Sequence, residues 1–159
     1  MELDMTNTDI KPFDPVQDLV DFHTRFEQQY NGPARPLPDE LQEFRLRFLE
    51  EELDEYRDYI RMIRLSKPDI PAVGLEGAFD GLIDLVYVAL GTAYLHGFDF
   101  RAGWDRVHAA NMKKVLANPE GDDRSHRDAK FDIVKPEGWS PPRLIDLVDP
   151  AHYFGSAGE

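Results

Sequence analysis

The chain has 159 residues, 42% of them hydrophobic, which suits one compact domain with its own core. Its formal net charge of −13 repels nucleic acid polymers and anionic membrane surfaces, so we expect neither as a partner. The absence of cysteine excludes disulfides, thiolate metal sites and thiol nucleophiles, and together with the acidic start it favours a cytoplasmic protein without a signal peptide.

Proline-rich joints divide the chain into four predicted helices and an irregular tail, which indicates an all-α, four-helix-bundle-like fold. The helices are predicted from Asp14-Pro15 to Asn31-Gly32, from about Pro38-Asp39 to Leu65, from about Ala72 to His96, and from an Asp99 cap to about Ala117. The tail beyond them is polar and rich in glycine and proline, and only residues 130–135 fit a short extended piece.

The second predicted helix carries carboxylates within its apolar face. A helical wheel places eight apolar side chains on one broad arc, namely Leu41, Phe44, Phe48, Leu49, Leu53, Tyr56, Ile60 and Ile63. Glu52 and Glu55 fall inside this arc and Glu51 lies at its edge, whereas Glu50 and Asp54 point to the opposite side. Burying ionised carboxylates is costly unless a cation compensates them. A cation site is therefore favoured over the alternative, a solvated acidic face.

The third predicted helix is apolar around most of its circumference and is expected to be central and buried. Its exceptions are Asp80 and Asp84, which share one strip of the helix surface because they are four residues apart. If that strip faces the glutamates of the second helix, five oxygen ligands converge, a set that suits Mg²⁺ or Mn²⁺. Asp84 also interrupts the longest apolar stretch, so no membrane span is expected.

These motifs resemble those of the MazG-like all-α NTP pyrophosphohydrolases. Glu51-Glu52-Leu53-Asp54-Glu55 matches their Glu-Glu-x-x-Glu motif, and Asp80-Gly81-Leu82-Ile83-Asp84 looks like the acidic pair on their next helix. Residues 107–114 and 135–141 are also similar to segments of phage and bacterial members, in particular the MazG-like dUTP diphosphatases, so the resemblance covers roughly residues 16–145. One departure is Gly81, where many members have Glu; the partner carboxylate here is Asp80.

The resemblance implies hydrolysis of a nucleoside triphosphate between its α- and β-phosphates, which gives a monophosphate and pyrophosphate. The implied catalytic carboxylates are Glu51, Glu52, Glu55 and Asp84, with Asp80 as a further ligand of Mg²⁺, for which Mn²⁺ can substitute. Either Glu52 or Glu55 would accept the proton of the attacking water. The base is left open between dUTP and dGTP or GTP. The implied domains are an extension (1–14), a catalytic helical domain (15–117) and a tail that packs on the nucleotide site (118–159).

Residues 101–143 contain nine Lys or Arg and seven Asp or Glu, so this segment has a charge of +2 against −15 for the remainder. Its candidate contacts to substrate are Asn111, Lys114, Arg124, Arg127, Lys130 and Lys135. Phe22 and His23 are candidates to stack on a base, and Trp139 to close the pocket. The alternatives are local ion pairs for the cations and core packing for the aromatic side chains.

An apolar helix of this kind needs more cover than three neighbours give, so a homodimer or homotetramer is expected. Two non-catalytic classes compete with the enzyme: a helical interaction module, and a metal-binding regulator that senses nucleotides. A di-iron site is disfavoured because it needs a Glu-x-x-His on each of two helices, and the chain offers a single Asp105-x-x-His108.

Overall fold

The computed structural model describes residues 12–66 and 72–149, and most of this part is helical. Its α-helices are α1 (Pro15–Arg25), α2 (Asp39–Leu65), α3 (Ala72–Leu95), α4 (Phe100–Asn111) and the short α5 (Ile145–Val148). Two short strands, β1 (Val115–Leu116) and β2 (Ile133–Val134), are separated by a 3-10 turn at Ala129–Phe131. The predicted all-α class with four main helices is confirmed. Of the predicted N-terminal extension, residues 1–11 lie outside the described part.

Helix α1 begins as the sequence predicts and ends earlier. The Asp14 side chain accepts a hydrogen bond from Gln17 N at 3.0 Å, and Pro15 occupies the first turn. The helix ends at Arg25 instead of Asn31-Gly32 because Glu27 adopts a left-handed backbone conformation, with φ of 58°. The residues up to Gly32 therefore form a connection outside the helix.

Helix α4 starts at its predicted cap, since the Asp99 side chain accepts from Ala102 N at 3.0 Å. It ends at Asn111 instead of Ala117, because the next residues pair in an antiparallel ribbon that matches Val115 with Val134 and Leu116 with Ile133. The extended piece predicted within residues 130–135 is thus present as β2, and its partner strand β1 was not predicted.

The chain divides into two compact units. The first contains the described residues up to Gln29 together with Pro38–Thr92, and the second contains Tyr30–Leu37 and the residues from Ala93 onward. The buried apolar side chains are Leu19, Ala78, Val88 and Leu90 in the first unit, and Leu37, Leu95, Ala110, Ala117 and Val134 in the second. The predicted domain boundary at residue 117 falls inside the second unit.

Helix α3 is less buried than its composition predicts. Leu75, Phe79, Leu82 and Val86 are spaced to lie on one strip of the helix, and each is between 43% and 68% exposed. This strip is therefore a part of the apolar surface of α3 that the described residues leave uncovered. Within the described residues, no helix combines the length and the apolar character that crossing a membrane requires.

Candidate functional site

Of the two glutamates that the helical wheel places inside the apolar arc of α2, only Glu52 is buried. Glu52 is buried, with 8% of its surface exposed, whereas Glu51 and Glu55 are exposed. On the opposite face, exposed carboxylates pair with arginines three residues later: Arg57 Nη1 lies 2.6 Å from Asp54 Oδ1, and Arg61 Nη1 lies 2.7 Å from Asp58 Oδ1. The apolar-face glutamates have no such arginine.

Helix α3 packs closely against α2 where the acidic pair lies. A Cβ atom at Gly81 would be 3.2 Å from Tyr56 N, and one at Gly77 would overlap the ring of Tyr59. The two backbones approach so closely at Gly81 that a side chain there, such as the glutamate of many MazG-like proteins, would require α2 and α3 to separate by a few tenths of an ångström. On the neighbouring positions, Asp80 is exposed and Asp84 is half-buried. Gly81 therefore sets the spacing of the two helices.

The four other predicted carboxylates lie near enough to Glu52 for their charges to act on it. Burial raises the pKa of Glu52, and the negative charges of Asp84, Glu55, Glu51 and Asp80 raise it further. Among the described residues, none of the five accepts a hydrogen bond or pairs with a lysine or arginine. The cluster is a concentration of negative charge that the described residues leave uncompensated, which is costly without a cation.

The donor set fits magnesium in kind and in charge. All five groups are carboxylates, the hard oxygen donors that Mg²⁺ and Mn²⁺ prefer. In the described part of the chain, no three acidic or histidine side chains already surround a point where an ion would sit. Magnesium tolerates this arrangement, because it usually keeps several waters and takes one or two carboxylates together with substrate phosphates.

The aromatic candidates on α1 have different surroundings. Phe22 is 39% exposed, and its ring centroid lies 5.6 Å from that of Tyr87 and 4.8 Å from that of Phe26. His23 is 2% exposed and lies inside the first unit, where a Cβ at Gly91 would be 3.3 Å from its Nε2. His23 is therefore too deeply buried to stack on a base as predicted, since no face of its ring is open to a ligand.

Arg45, which the sequence reading did not single out, lies beside His23. It is buried, and its Nη2 donates to Val88 O at 2.7 Å while its Nε donates to Thr92 Oγ1 at 3.0 Å. Burial and the charge of Arg45 lower the pKa of His23. The pair braces α1 and α2 against α3. In the sequence, the only sign that Arg45 would be buried was its position next to Phe44 on the apolar arc of α2.

In the second unit, two of the predicted cations are already used locally. Arg124 Nη2 lies 2.7 Å from Asp122 Oδ2, and Arg127 Nη2 lies 2.7 Å from Asp132 Oδ1. Hydrogen bonds from Arg124 hold the pKa of the Asp122 carboxyl well below its ordinary value. For these two arginines the structure shows local ion pairs, the alternative that the sequence left open.

Trp139 lies at the end of α4. Its Nε1 donates to Ala110 O at 2.9 Å, and the ammonium groups of Lys114 and Lys135 lie 5.7 and 4.8 Å from its ring. Trp139 therefore positions two of the predicted cations, and it is not among the residues that line the neighbouring pocket.

That pocket has a volume of about 570 Å³ and lies wholly within the second unit. It is lined by Asn111, Lys114, Arg127, Asp128, Phe131, Asp132 and Ile133. The first three were predicted substrate contacts. Phe131 and Asp128 were not predicted as contacts, although Phe131 lies within the segment 130–135 for which an extended piece was expected and Asp128 lies two residues before it.

Comparison with known proteins agrees with the resemblance. The sequence model of the family described as phosphoribosyl-ATP pyrophosphohydrolase matches residues 19–111, more than half of the chain. The matched region runs from within α1 to the last residue of α4 and includes all five carboxylates. No curated protein sequence gives a significant match.

Proposed function

The chain belongs to the phosphoribosyl-ATP pyrophosphohydrolase family, within the MazG-like all-α pyrophosphohydrolases, and we propose that it is a magnesium-dependent nucleoside triphosphate pyrophosphohydrolase. Membership makes it a pyrophosphohydrolase of a nucleotide-like substrate. The finer proposal is cleavage between the α- and β-phosphates to give a nucleoside monophosphate and pyrophosphate. The observation that carries it is the buried Glu52 with four further carboxylates around it, none of the five paired with a cation among the described residues.

The charge of the chain supports a cation-dependent reaction. A protein at −13 repels a triphosphate unless bound cations reverse the field locally. Glu51, Glu52, Glu55, Asp80 and Asp84 would hold those cations. Bound magnesium would polarise the α-phosphate, offset the charge of the leaving pyrophosphate and lower the pKa of a water.

The two candidates for the proton acceptor differ in burial. Glu52 is buried among the other carboxylates, whereas Glu55 is exposed. We assign proton acceptance to a carboxylate oxygen of Glu55, because an exposed group can pass its proton on to solvent, and ion binding to Glu52. Glu55→Gln should therefore lower kcat by a larger factor than it raises the magnesium concentration needed for half-maximal turnover, and Glu52→Gln should do the reverse.

Four nucleotides are the candidate substrates. The MazG-like resemblance favours dUTP or dGTP and GTP, and the description of the matched family adds phosphoribosyl-ATP as a candidate. All of them carry a phosphoanhydride that hydrolysis converts to a monophosphate and pyrophosphate. The common chemistry is therefore the firmer part of the proposal, and the base is the part to be measured.

Product analysis tests this function. The protein is incubated with each common NTP and dNTP, with dUTP and with phosphoribosyl-ATP, in magnesium or in excess EDTA, and the products are separated. We expect monophosphate and pyrophosphate in equal amounts with magnesium and none with EDTA. Orthophosphate as the released product would identify the wrong bond. No product from any substrate would favour the non-catalytic nucleotide sensor.

We also propose that the exposed strip of α3 is covered by a second copy of the chain. The strip formed by Leu75, Phe79, Leu82 and Val86 is apolar, and Asp80 and Asp84 project from other positions of the same helix. Exposed apolar strips of this kind mark association surfaces. Light scattering should show a homodimer or homotetramer that Phe79→Asp dissociates and that Leu65→Asp, at an 80% exposed position at the end of α2, leaves intact. A monomeric wild-type chain would remove the proposal.

A further inference from the structure

Some side chains that line the pocket of the second unit already form ion pairs and hydrogen bonds within the protein, and others do not. Arg127 pairs with Asp132, whose other oxygen accepts from Ser125 Oγ at 2.7 Å. Ile133 N also donates to Asp132, at 2.9 Å. These interactions hold the pKa of the Asp132 carboxyl below its ordinary value. Arg127 and Asp132 thus neutralise each other and form a fixed wall of the pocket.

Lys114 and Asn111 keep their capacity to bind a ligand. Lys114 contacts the ring of Trp139 but has no carboxylate partner among the described residues. The side-chain amide of Asn111 has no hydrogen bond within the same part of the chain. Both residues line the pocket. An ammonium group without an anion and an amide with free donors are groups that bind a phosphate oxygen.

Phe131 gives the pocket an open aromatic face. The side chain is 78% exposed, although it lies directly beside β2, whose Val134 is buried. Within the described residues, the ring of Phe131 contacts only the ammonium group of Lys130, whose Nζ lies 5.4 Å from the ring centroid. Stacking on a flat ring contributes about 1–3 kcal/mol per nucleobase at sites where aromatic side chains are available. An exposed phenylalanine on the rim of a polar pocket is suited to that contact.

Asp128 adds a selective group. One of its oxygens accepts from Lys130 N at 3.1 Å, and the other oxygen is free to accept from a ligand. A carboxylate accepts hydrogen bonds from amino groups, as in guanine, adenine or cytosine. It repels the two carbonyl oxygens that flank the N–H of uracil. A pocket containing Asp128 therefore favours a base with an amino group over uracil.

We propose that this pocket binds a nucleoside monophosphate unit, with the base on Phe131 and its amino group at Asp128, and the phosphate at Lys114 and Asn111. The inference rests on the proposed function only in taking the ligand to be a nucleotide. The ligand that this predicts for the pocket carries a base with an amino group, such as guanine, and not uracil.

Binding without turnover tests the pocket separately from catalysis. The full chain in EDTA is titrated with dGMP, dCMP, dUMP, deoxyguanosine and pyrophosphate, and ¹⁵N-¹H spectra report the amides of residues 111–133. We expect dGMP to bind more tightly than dUMP and to shift the Asn111 and Phe131 signals. Phe131→Ala should weaken dGMP about tenfold or more. Leu116→Ala, at an 81% exposed apolar position outside the pocket lining, should leave binding unchanged.

Variants of the two polar contacts test the assigned roles of the pocket residues. Asp128→Asn should reduce the preference for dGMP over dUMP while Lys114→Gln weakens both. Pyrophosphate binding as tightly as dGMP would reduce the pocket to an anion site and overturn the inference, as would equal effects of Phe131→Ala and Leu116→Ala. A chain that binds dGMP through Phe131 but hydrolyses no triphosphate would overturn the proposed function alone. Turnover with no shift in these signals would overturn the pocket alone.

Discussion

The two compact units handle negative charge in opposite ways. In the second unit, Asp122, Asp132 and Asp146 each lie 2.7 Å from an arginine nitrogen. In the first unit, the carboxylates around Glu52 have no cationic partner among the described residues. The pKa shifts agree with this difference, because the pKa of Asp132 is lowered and that of Glu52 is raised. The second unit holds these three carboxylates in ion pairs, whereas the first unit holds, apart from its surface ion pairs, a carboxylate cluster without a cation among the described residues.

Helix α2 shows that this difference does not arise from a shortage of arginine. On its wet face, Asp54 and Asp58 have Arg57 and Arg61 one turn later, and both pairs are formed. Exposed pairs of this kind contribute little to stability, about 0–1 kcal/mol. On the apolar face of the same helix, Glu52 and its neighbours Glu51 and Glu55 have no cationic partner in the part of the chain that the structure describes. Such a cluster is expected where a cation supplied from solution completes the site.

The largest expected effect comes from neutralising the centre of the cluster. Glu52→Gln should lower turnover by about 100-fold or more, the scale found when a preorganised electrostatic group is removed. Its matched control is Glu50→Gln, which removes the same charge from an exposed position on the same helix. Pyrophosphate release at saturating magnesium is the measurement. Equal losses in the two variants would mean that net charge matters and that position does not.

A smaller effect, on the free energy of unfolding, is expected from adding a methyl group to a helix glycine that is closely packed in the first unit and to one that has no close neighbour in the second. Gly81→Ala should lower the free energy of unfolding by about 1 kcal/mol, because its Cβ would press on the α2 backbone. Gly103→Ala in α4 has no neighbour within 4 Å and should raise it by about 0.5–1 kcal/mol. Denaturant unfolding of both variants measures the difference. A stabilising Gly81→Ala would show that α2 and α3 have room to separate.

The smallest expected effect is a pair of opposite pH dependences in EDTA. The raised pKa of Glu52 means that its ionisation destabilises the fold as pH rises above its ordinary value of 4.5. The lowered pKa of Asp132 means that its stabilising contribution is present above 3.8 and is lost as pH falls. At pH 7, Glu52→Gln should therefore raise Tm and Asp132→Asn should lower it, and both differences should shrink in acid. Tm shifts of the same sign would contradict the contrast between the units.

The sequence predicted the parts of the site that depend on helical geometry alone. Periodicity placed α2 and α3 within a residue or two of their observed ends, and the wheel separated the buried Glu52 from the exposed Glu50. Side chains four apart on a helix share a face in any fold, so Asp80 and Asp84 could be paired without tertiary information.

The missed features depend on contacts between distant residues. The ribbon that ends α4 needs Val115 to meet Val134, and two-residue strands leave no periodic signal. The burial of His23 follows from Gly91 and Arg45, far along the chain, so a polar ring on an amphipathic helix was assigned to a ligand. Phe131 was missed because an exposed aromatic side chain has the same pattern in sequence as a buried one.

Direct measurement of ion binding tests the central claim that the carboxylates around Glu52 hold the metal. Free Mn²⁺ is titrated into the wild-type chain and into the Glu52→Gln and Glu50→Gln variants, and the bound fraction is read from the loss of the aqueous Mn²⁺ signal in electron paramagnetic resonance. We expect the wild type and Glu50→Gln to bind Mn²⁺ alike and Glu52→Gln to bind it at least tenfold more weakly. Unchanged Mn²⁺ affinity in Glu52→Gln would contradict the account.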